Sequence, residues 1–193
     1  MPRAARKERK LALRFPAEEI PYWASRFPGP EGDRLLDSIR TRVRARGCLT
    51  RAEFLALCAW KSPRSRPRCL ENSERDVRAV TRAALASSDE AVKVELLRVL
   101  RGVDWATASA ILHACDARPY PILDVRALWS LGETRAHVTL ETWLDYVACT
   151  RSLATRHGVG MRLLDRALWQ YSKERQRLRY RPSLDAILVP RYH

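Results

Sequence analysis

The carboxylate of Asp124 is a candidate for chemistry, and its sequence setting also allows a purely structural role. It follows the proline-bearing segment Tyr120 to Leu123 and precedes a short apolar run that predicts a helix. A carboxylate fixed at a helix N-terminus can stabilise positive charge that develops on a reacting group, and it can orient a water molecule. The same position also suits a structural role, in which Asp124 is only the N-cap of a helix from Val125 to Leu131.

A second pattern lies upstream, where two apolar segments are separated by a short turn. Leu97 and Leu100 end the first segment, Gly102 and Val103 belong to the turn, and small residues recur in the second. Two helices joined in this way form a helix-hairpin-helix, and the free N–H groups that open the second helix can bind a phosphate. The residues predicted to contact nucleic acid here are Arg101, Gly102, Val103, Asp104 and Trp105.

A basic segment with two prolines follows Trp60. Lys61, Arg64 and Arg66 could contact a phosphate backbone, and Trp60 and Trp105 could line a pocket for an extruded base. Lys61 is also a candidate amine nucleophile. The structural alternatives are a solvated connector beside a buried Trp60, and a Trp105 that serves only in packing.

The charge of the whole chain favours a polyanionic partner. Lys and Arg number 36 against 22 Asp and Glu, which gives a formal net charge of +14. Each phosphate that such a surface neutralises releases counterions, so nucleic acid is the leading partner class. A basic surface that is merely solvated is the alternative.

Apolar residues recur with a period near 3.6 along most of the chain after residue 16, and no stretch sustains a period of two. With only 7 glycines, this predicts an all-α protein. Capping signals at Thr50–Glu53, Ser73 and Ser87–Glu90 mark helix starts. The predicted helices cover 16–26, 34–46, 51–60, a segment from 73, a segment from the capping box at 87–90 to 100, 105–115, 124–132, 139–157 and 160–176, with a loop over 61–69.

Residues 1–15 are expected to form a basic flexible arm, and residues 16–193 a single unit. No stretch approaches the roughly 18 apolar residues of a membrane span. The five cysteines are scattered without CxxC spacing, and His113 and His157 stand apart from other ligands, so we expect reduced thiols and no metal site. This pattern favours a cytoplasmic protein.

The hairpin and the aspartate together resemble the helix-hairpin-helix DNA glycosylase superfamily, which includes endonuclease III, the adenine-mismatch glycosylase and the 8-oxoguanine glycosylases. Members share an L-P-G-V-G hairpin, a small-residue helix, a proline-bearing loop and an essential aspartate. Here the hairpin reads LRGVD at 100–104 and the loop reads YPILD at 120–124. Asp104 and Asp124 are 20 residues apart, the spacing of the adenine-mismatch branch. The similarity covers residues 89–132, with the hairpin at 89–115 and the catalytic loop at 116–124.

The resemblance implies a two-lobed helical fold and a monofunctional glycosylase that flips a modified or mismatched base out of double-stranded DNA. Breaking the N-glycosidic bond develops positive charge on the sugar, which Asp124 would stabilise. We expect a monomer that works at the nucleoid in the cytoplasm. The alternatives are a non-catalytic helix-hairpin-helix DNA-binding module that retains the fold, and a structural helical protein with a basic surface.

Several positions depart from the family pattern. Bifunctional members carry a lysine nucleophile where this chain has Ala106, so water is the expected nucleophile and an abasic site the expected product. Asp104 replaces the second hairpin glycine and places a negative charge at the phosphate site, where a bound cation or a displaced phosphate would be needed. The ligands of an iron–sulfur cluster are missing, so no such cofactor is expected. No acidic residue matches the one that protonates the leaving base.

Overall fold

A computed structural model describes residues 11–29, 31–133 and 137–176, and this part of the chain is helical with no β-strand. The all-α prediction is therefore confirmed. Short 3-10 helices lie at Ala17–Glu19 and Pro63–Ser65. The α-helices are α1 (Ile20–Ser25), α2 (Glu31–Arg46), α3 (Arg51–Lys61), α4 (Arg66–Cys69), α5 (Glu74–Ala86), α6 (Glu90–Arg98), α7 (Trp105–Cys115), α8 (Val125–Ser130), α9 (Leu140–Arg156) and α10 (Met161–Arg175).

Side-chain caps set several of these helix starts. At α3 the Thr50 hydroxyl accepts the N–H of Glu53, and the Glu53 carboxylate accepts the N–H of Thr50, which completes the predicted capping box. Ser73 caps α5 by accepting the N–H of Asp76. These bonds satisfy N–H groups that the first turn of a helix otherwise leaves free.

The start of α6 differs from the prediction. Its N-cap is Asp89, whose carboxylate accepts the N–H of Val92. The Ser87 hydroxyl instead accepts the N–H of Asp89, in a local turn between α5 and α6. Ser87 already terminates α5 in an extended conformation, so it is not free to open the next helix.

The basic segment after Trp60 is also more regular than predicted. It forms the 3-10 helix Pro63–Ser65 and the short helix α4 rather than a loop. Each proline lies in the first turn of its helix, where a missing N–H costs no hydrogen bond. The prolines therefore initiate these two turns instead of interrupting them.

The packed body begins before residue 16, which corrects the expected extent of the arm. The N–H groups of Ala12 and Arg14 donate to the carbonyls of Leu131 and Ser130, and Phe15 is buried against aromatic rings of α1 and α10. Residues 1–10 of the predicted arm lie outside the described residues.

The helix α7 occupies the centre of the fold. Every residue from Thr107 to Cys115 is buried, and the helix packs against α2, α3 and α6. A helix that is apolar around its whole circumference belongs in an interior. A second group of helices, α1, α8 and α9, packs against α10. One continuous core joins both groups of helices.

The turn before α7 requires glycine. Gly102 has a φ of +79°, a conformation that side chains disfavour. A Cβ added there would also lie 2.7 Å from the Cys69 sulfur and 2.9 Å from the Cys69 backbone nitrogen. The absence of a side chain at Gly102 thus lets the turn lie directly on α4.

We expect Gly102→Ala to lower the free energy of unfolding by about 2–4 kcal/mol, because the new methyl group adds a clash with buried Cys69 to the backbone strain. Gly47→Ala is the matched control, since Gly47 has a φ of +74° but no atom within 4 Å of the added Cβ. Its cost should be about 1 kcal/mol from strain alone. Urea denaturation measures both, and equal losses would contradict the close contact with α4.

Candidate active site

The segment that leads to Asp124 is buried, and side chains of three helices fix its backbone. The N–H of Ile122 donates to Asp165 Oδ1 at 3.1 Å, and the carbonyl of Ile122 accepts from the Tyr146 hydroxyl at 3.1 Å. The N–H of Leu123 donates to Ser109 Oγ at 2.8 Å. Asp165, Tyr146 and Ser109 belong to α10, α9 and α7, so the position of the following residue is set by the core itself.

Asp124 is both the N-cap of α8 and an accessible carboxylate. Its Oδ1 accepts the N–H of Arg126 at 2.9 Å, as the structural alternative requires. Its Oδ2 accepts from Lys61 Nζ at 3.1 Å, and its side chain remains 28% exposed. One oxygen is therefore occupied by the helix, whereas the other pairs with a lysine whose side chain is only 11% exposed.

Asp165 and His113 form a buried polar pair beneath this loop. Burial raises the pKa of Asp165 to about 8, a rise that the charge of Arg162 opposes. Burial also lowers the pKa of His113 to about 4. His113 Nδ1 lies 3.4 Å from Asp165 Oδ2 and 2.6 Å from the Tyr120 carbonyl. Both groups are consequently neutral near pH 7, and the contact is a neutral pair rather than an ion pair.

Lys61 and Trp60 end α3, next to α2 and α10. Trp60 is half-buried: its indole lies against Gly32 of α2, where an added Cβ would come within 2.7 Å of the ring nitrogen. The Arg162 guanidinium lies 5.8 Å from the centre of the same ring and donates to Asp33 at 2.8 Å. Trp60 thus sits beside Lys61 with one cation over its ring, and the base-pocket role remains a prediction.

Trp105, the other predicted pocket residue, is buried at the start of α7. The Arg98 guanidinium covers its ring at 3.9 Å from the centre, a distance suited to a cation–π interaction. Arg98 also lies 3.8 Å from the Asp104 carboxylate. In this structure Arg98 thus occupies one face of Trp105.

The hairpin turn differs from a simple phosphate cradle. Asp104 caps α7 with its own carboxylate, which accepts the N–H of Trp105 at 2.7 Å. Asn72 fixes the other side of the turn, accepting the N–H of Arg101 and donating to its carbonyl. The Arg101 side chain is exposed and pairs with Glu71 at 3.0 Å, a surface contact of little energetic weight. Val103 is buried.

The basic segment lies next to this turn. Because Gly102 contacts Cys69 and Arg68, the helix α4 and the hairpin share one side of the molecule. Arg64, Arg66 and Arg68 are exposed there, and none has an acidic partner among the described residues. Unpaired arginines on a surface are available to phosphates.

Asp165 and Arg162 were not identified from the sequence. Asp165 lies on the apolar stripe of α10, between Leu164 and Leu168, which are fully buried. A carboxylate on a buried helix face must find a hydrogen-bond donor inside the protein. The position of Asp165 on this stripe could therefore have indicated a buried hydrogen bond. It could not have indicated that Ile122 is the donor.

The chain has no match among protein-family models, curated proteins or solved structures. Among the described residues, no helix combines the length and apolar character needed to cross a membrane. In the same ranges, no group of three or more His, Cys, Asp or Glu side chains is arranged to hold a metal ion. The five cysteines are free thiols. The function must therefore be argued from the site.

The neutral carboxyl of Asp165 gives a pH prediction. Its pKa is higher in the folded chain than in the unfolded chain, so only the folded state holds this proton between about pH 4 and about pH 8. Its contribution to stability is complete at low pH and is lost as the pH rises through this window, by up to about 1.4 kcal/mol per pH unit. Asp165→Asn can still accept the N–H of Ile122 but does not titrate.

Urea denaturation of both proteins from pH 5 to pH 8 tests this effect. The stability of the wild type minus that of Asp165→Asn should decrease as the pH rises. The measurements above pH 6.5 are the easier ones to interpret. Between about pH 4, the pKa of His113 in the folded chain, and pH 6.5, its ordinary pKa, the unfolded chain binds a proton at His113 that the folded chain does not. Parallel profiles would show that Asp165 is ionised in the folded protein.

Proposed function

We propose that this protein is a DNA N-glycosylase with a two-lobed glycosylase-like fold, which removes a modified or mismatched base from double-stranded DNA. The observation that carries the proposal is the carboxylate of Asp124, which is partly exposed at the end of a buried segment fixed by three helices. A charge held in a fixed position can stabilise a cationic transition state without reorganisation. The sugar of an N-glycosidic bond becomes such a cation as the base leaves.

The partner in this proposal is the phosphate backbone on either side of a flipped nucleotide. The exposed arginines of the 3-10 helix and α4, together with Arg101, supply positive charge beside the hairpin. Trp60, half-buried next to Lys61, is the better candidate of the two tryptophans for contact with the base, because Trp105 is covered by Arg98. We further propose that the protein acts as a monomer at the nucleoid in the cytoplasm.

A non-catalytic DNA-binding module is the second candidate. The ion pair between Lys61 and Asp124 favours it, because a carboxylate that is neutralised by a lysine and also caps a helix has a complete structural role. The basic surface would serve this candidate equally well. Excision assays separate the two.

We expect Asp124→Asn to reduce base excision by about 100-fold or more while duplex binding is retained. Asparagine is as good an N-cap as aspartate, so the variant removes the charge but keeps the helix start. The assay uses duplexes that each carry one lesion or mismatch and scores alkali-labile sites after incubation. Asp89→Asn is the matched control, since Asp89 caps α6 through the same kind of bond.

Two results in this assay would be decisive against the proposal. Unchanged excision by Asp124→Asn would remove Asp124 from the mechanism. Tight, salt-sensitive binding by the wild type, with no alkali-labile site across a broad panel, would establish the binding module instead.

The basic surface generates a separate binding prediction. The double variant Arg64→Ala/Arg66→Ala should bind duplex DNA more weakly, and the slope of log K against log salt should fall by about 2, because two phosphate contacts no longer release counterions. The control Arg78→Ala removes an arginine that is paired with Glu74 on α5 and should leave the slope nearly unchanged. Fluorescence anisotropy at several salt concentrations measures both. An unaltered slope in the double variant would place the DNA on another face.

A further inference from the structure

One face of α10 carries three cations and a tryptophan in a row. The members of this α10 row are Arg162, Arg166, Trp169 and Lys173. Successive members are four, three and four residues apart, so all of them lie on the same face of the helix. At about 1.5 Å per residue the row is about 16 Å long. One strand of a DNA duplex places about five phosphates along that length of helix axis.

Phe27 and Asp33 hold the two arginines of the row. The guanidinium groups of Arg162 and Arg166 lie 5.5 Å and 5.6 Å from the centre of the Phe27 ring, within the range of a cation–π interaction. Both arginines also pair with the Asp33 carboxylate, and their side chains remain 24% and 27% exposed. A single carboxylate cannot neutralise two guanidinium groups, so this end of the row keeps a net positive charge.

Trp169 holds two further cations. Lys173 Nζ lies 5.0 Å from the centre of its ring, and the guanidinium of Arg126, on α8, lies 5.5 Å from the same centre. Within the described ranges, neither of these cations forms an ion pair with an acidic residue. Phe27 packs edge-on against Trp169, with 5.2 Å between the ring centres. The four cations and the two rings therefore form one continuous surface.

An arginine that is stacked on a ring is well prepared to bind a phosphate. Stacking uses the flat face of the guanidinium, whereas a phosphate is bound by the N–H groups at its edge. The ring also restricts the side chain before a ligand arrives, so less conformational entropy is lost on binding. By contrast, Arg64 and Arg66 of the basic segment are exposed, and no ring of the described residues lies over them.

This surface adjoins the site that contains Asp124. Arg126 follows Asp124 by two residues, and its N–H is the group that the Asp124 carboxylate caps. At the other end, the Arg162 guanidinium lies 5.8 Å from the ring centre of Trp60, and the next residue, Lys61, pairs with Asp124. The basic segment follows Lys61 directly in the chain. A strand that contacts both basic surfaces would therefore pass close to Asp124.

We propose that the α10 row and Arg126 form a second binding surface for the phosphate backbone of DNA, which acts together with the basic segment. This inference rests on the DNA partner of the proposed function, but it does not depend on the removal of a base. Charge complementarity carries it. Among the described residues, Asp33 is the one carboxylate that forms an ion pair with these four cations.

The test compares two variants that each remove two positive charges. Arg126→Ala/Lys173→Ala removes the cations that lie on Trp169. Arg44→Ala/Arg75→Ala is the matched control, because it removes two exposed arginines of α2 and α5 that form no ion pair within the described ranges. Fluorescence anisotropy with a labelled DNA duplex gives log K against log salt. The slope should fall by about 2 for the first variant and stay nearly unchanged for the control.

A combined variant tests whether both surfaces hold the same DNA molecule. It carries the substitutions Arg64→Ala, Arg66→Ala, Arg126→Ala and Lys173→Ala. Its slope should fall by about 4, because one complex then loses four phosphate contacts. Urea denaturation checks that each variant is folded. If the alanine variant is not, Arg126→Gln/Lys173→Gln removes the same charges, keeps longer side chains and should give the same fall in slope.

Three results would overturn the second surface: an unchanged slope for the variant at Arg126 and Lys173, an equal fall for the control, or a combined fall no larger than that of one double variant. Base excision by the wild type would then leave the proposed function standing. A fall in slope at Arg126 and Lys173 without excision across the lesion panel would support the surface and establish the binding module. A wild type that does not bind duplex DNA would remove both proposals.

Discussion

A buried segment of irregular backbone must have its polar groups hydrogen-bonded inside the protein, and residues 120–123 meet this requirement with side chains. Within the described ranges, the N–H groups of Ile122 and Leu123 form no hydrogen bond with another backbone group. The carboxyl of Asp165, the hydroxyl of Tyr146 and the hydroxyl of Ser109 take that role from three different helices. This arrangement sets the position of Asp124, because its backbone has little freedom once Ile122 and Leu123 are fixed.

A lysine pairs with the aspartate at each end of the loop 116–124, but the two pairs differ in their exposure to solvent. At the beginning, the pair of Lys93 and Asp116 is enclosed, where the cost of removing both charges from water offsets much of their attraction. At the end, the pair of Lys61 and Asp124 lies at the edge of the packed interior. The same two residue types thus form an enclosed ion pair at one end of the segment and a more exposed ion pair at the other. The two ion pairs therefore differ in solvent exposure and not in residue type.

Local features could be predicted from the sequence, whereas features that depend on contacts between distant residues could not. Helix starts at Thr50 and Ser73 follow from short spacings, because the capping side chain and its N–H partner are three residues apart. The N-cap position of Asp124 was predictable for the same reason. Its contact with Lys61 was not, because 63 residues intervene and no periodicity links α3 with α8. The role of Asp165 required knowledge of which carbonyls and amides the face of α10 would meet.

Asp104 determines what the hairpin turn can bind at the start of α7. Asp104 supplies an anion to the N-terminus of α7 from within the chain, so a phosphate would have to compete with it for the N–H of Trp105. Under the proposed function, the positive charge for a nucleic acid would then come from residues beside the turn. The contact of Gly102 with Cys69 brings the exposed arginines of the basic segment to that side. In the structure the hairpin turn lies directly against α4, and the exposed arginines of the basic segment lie on and next to that helix.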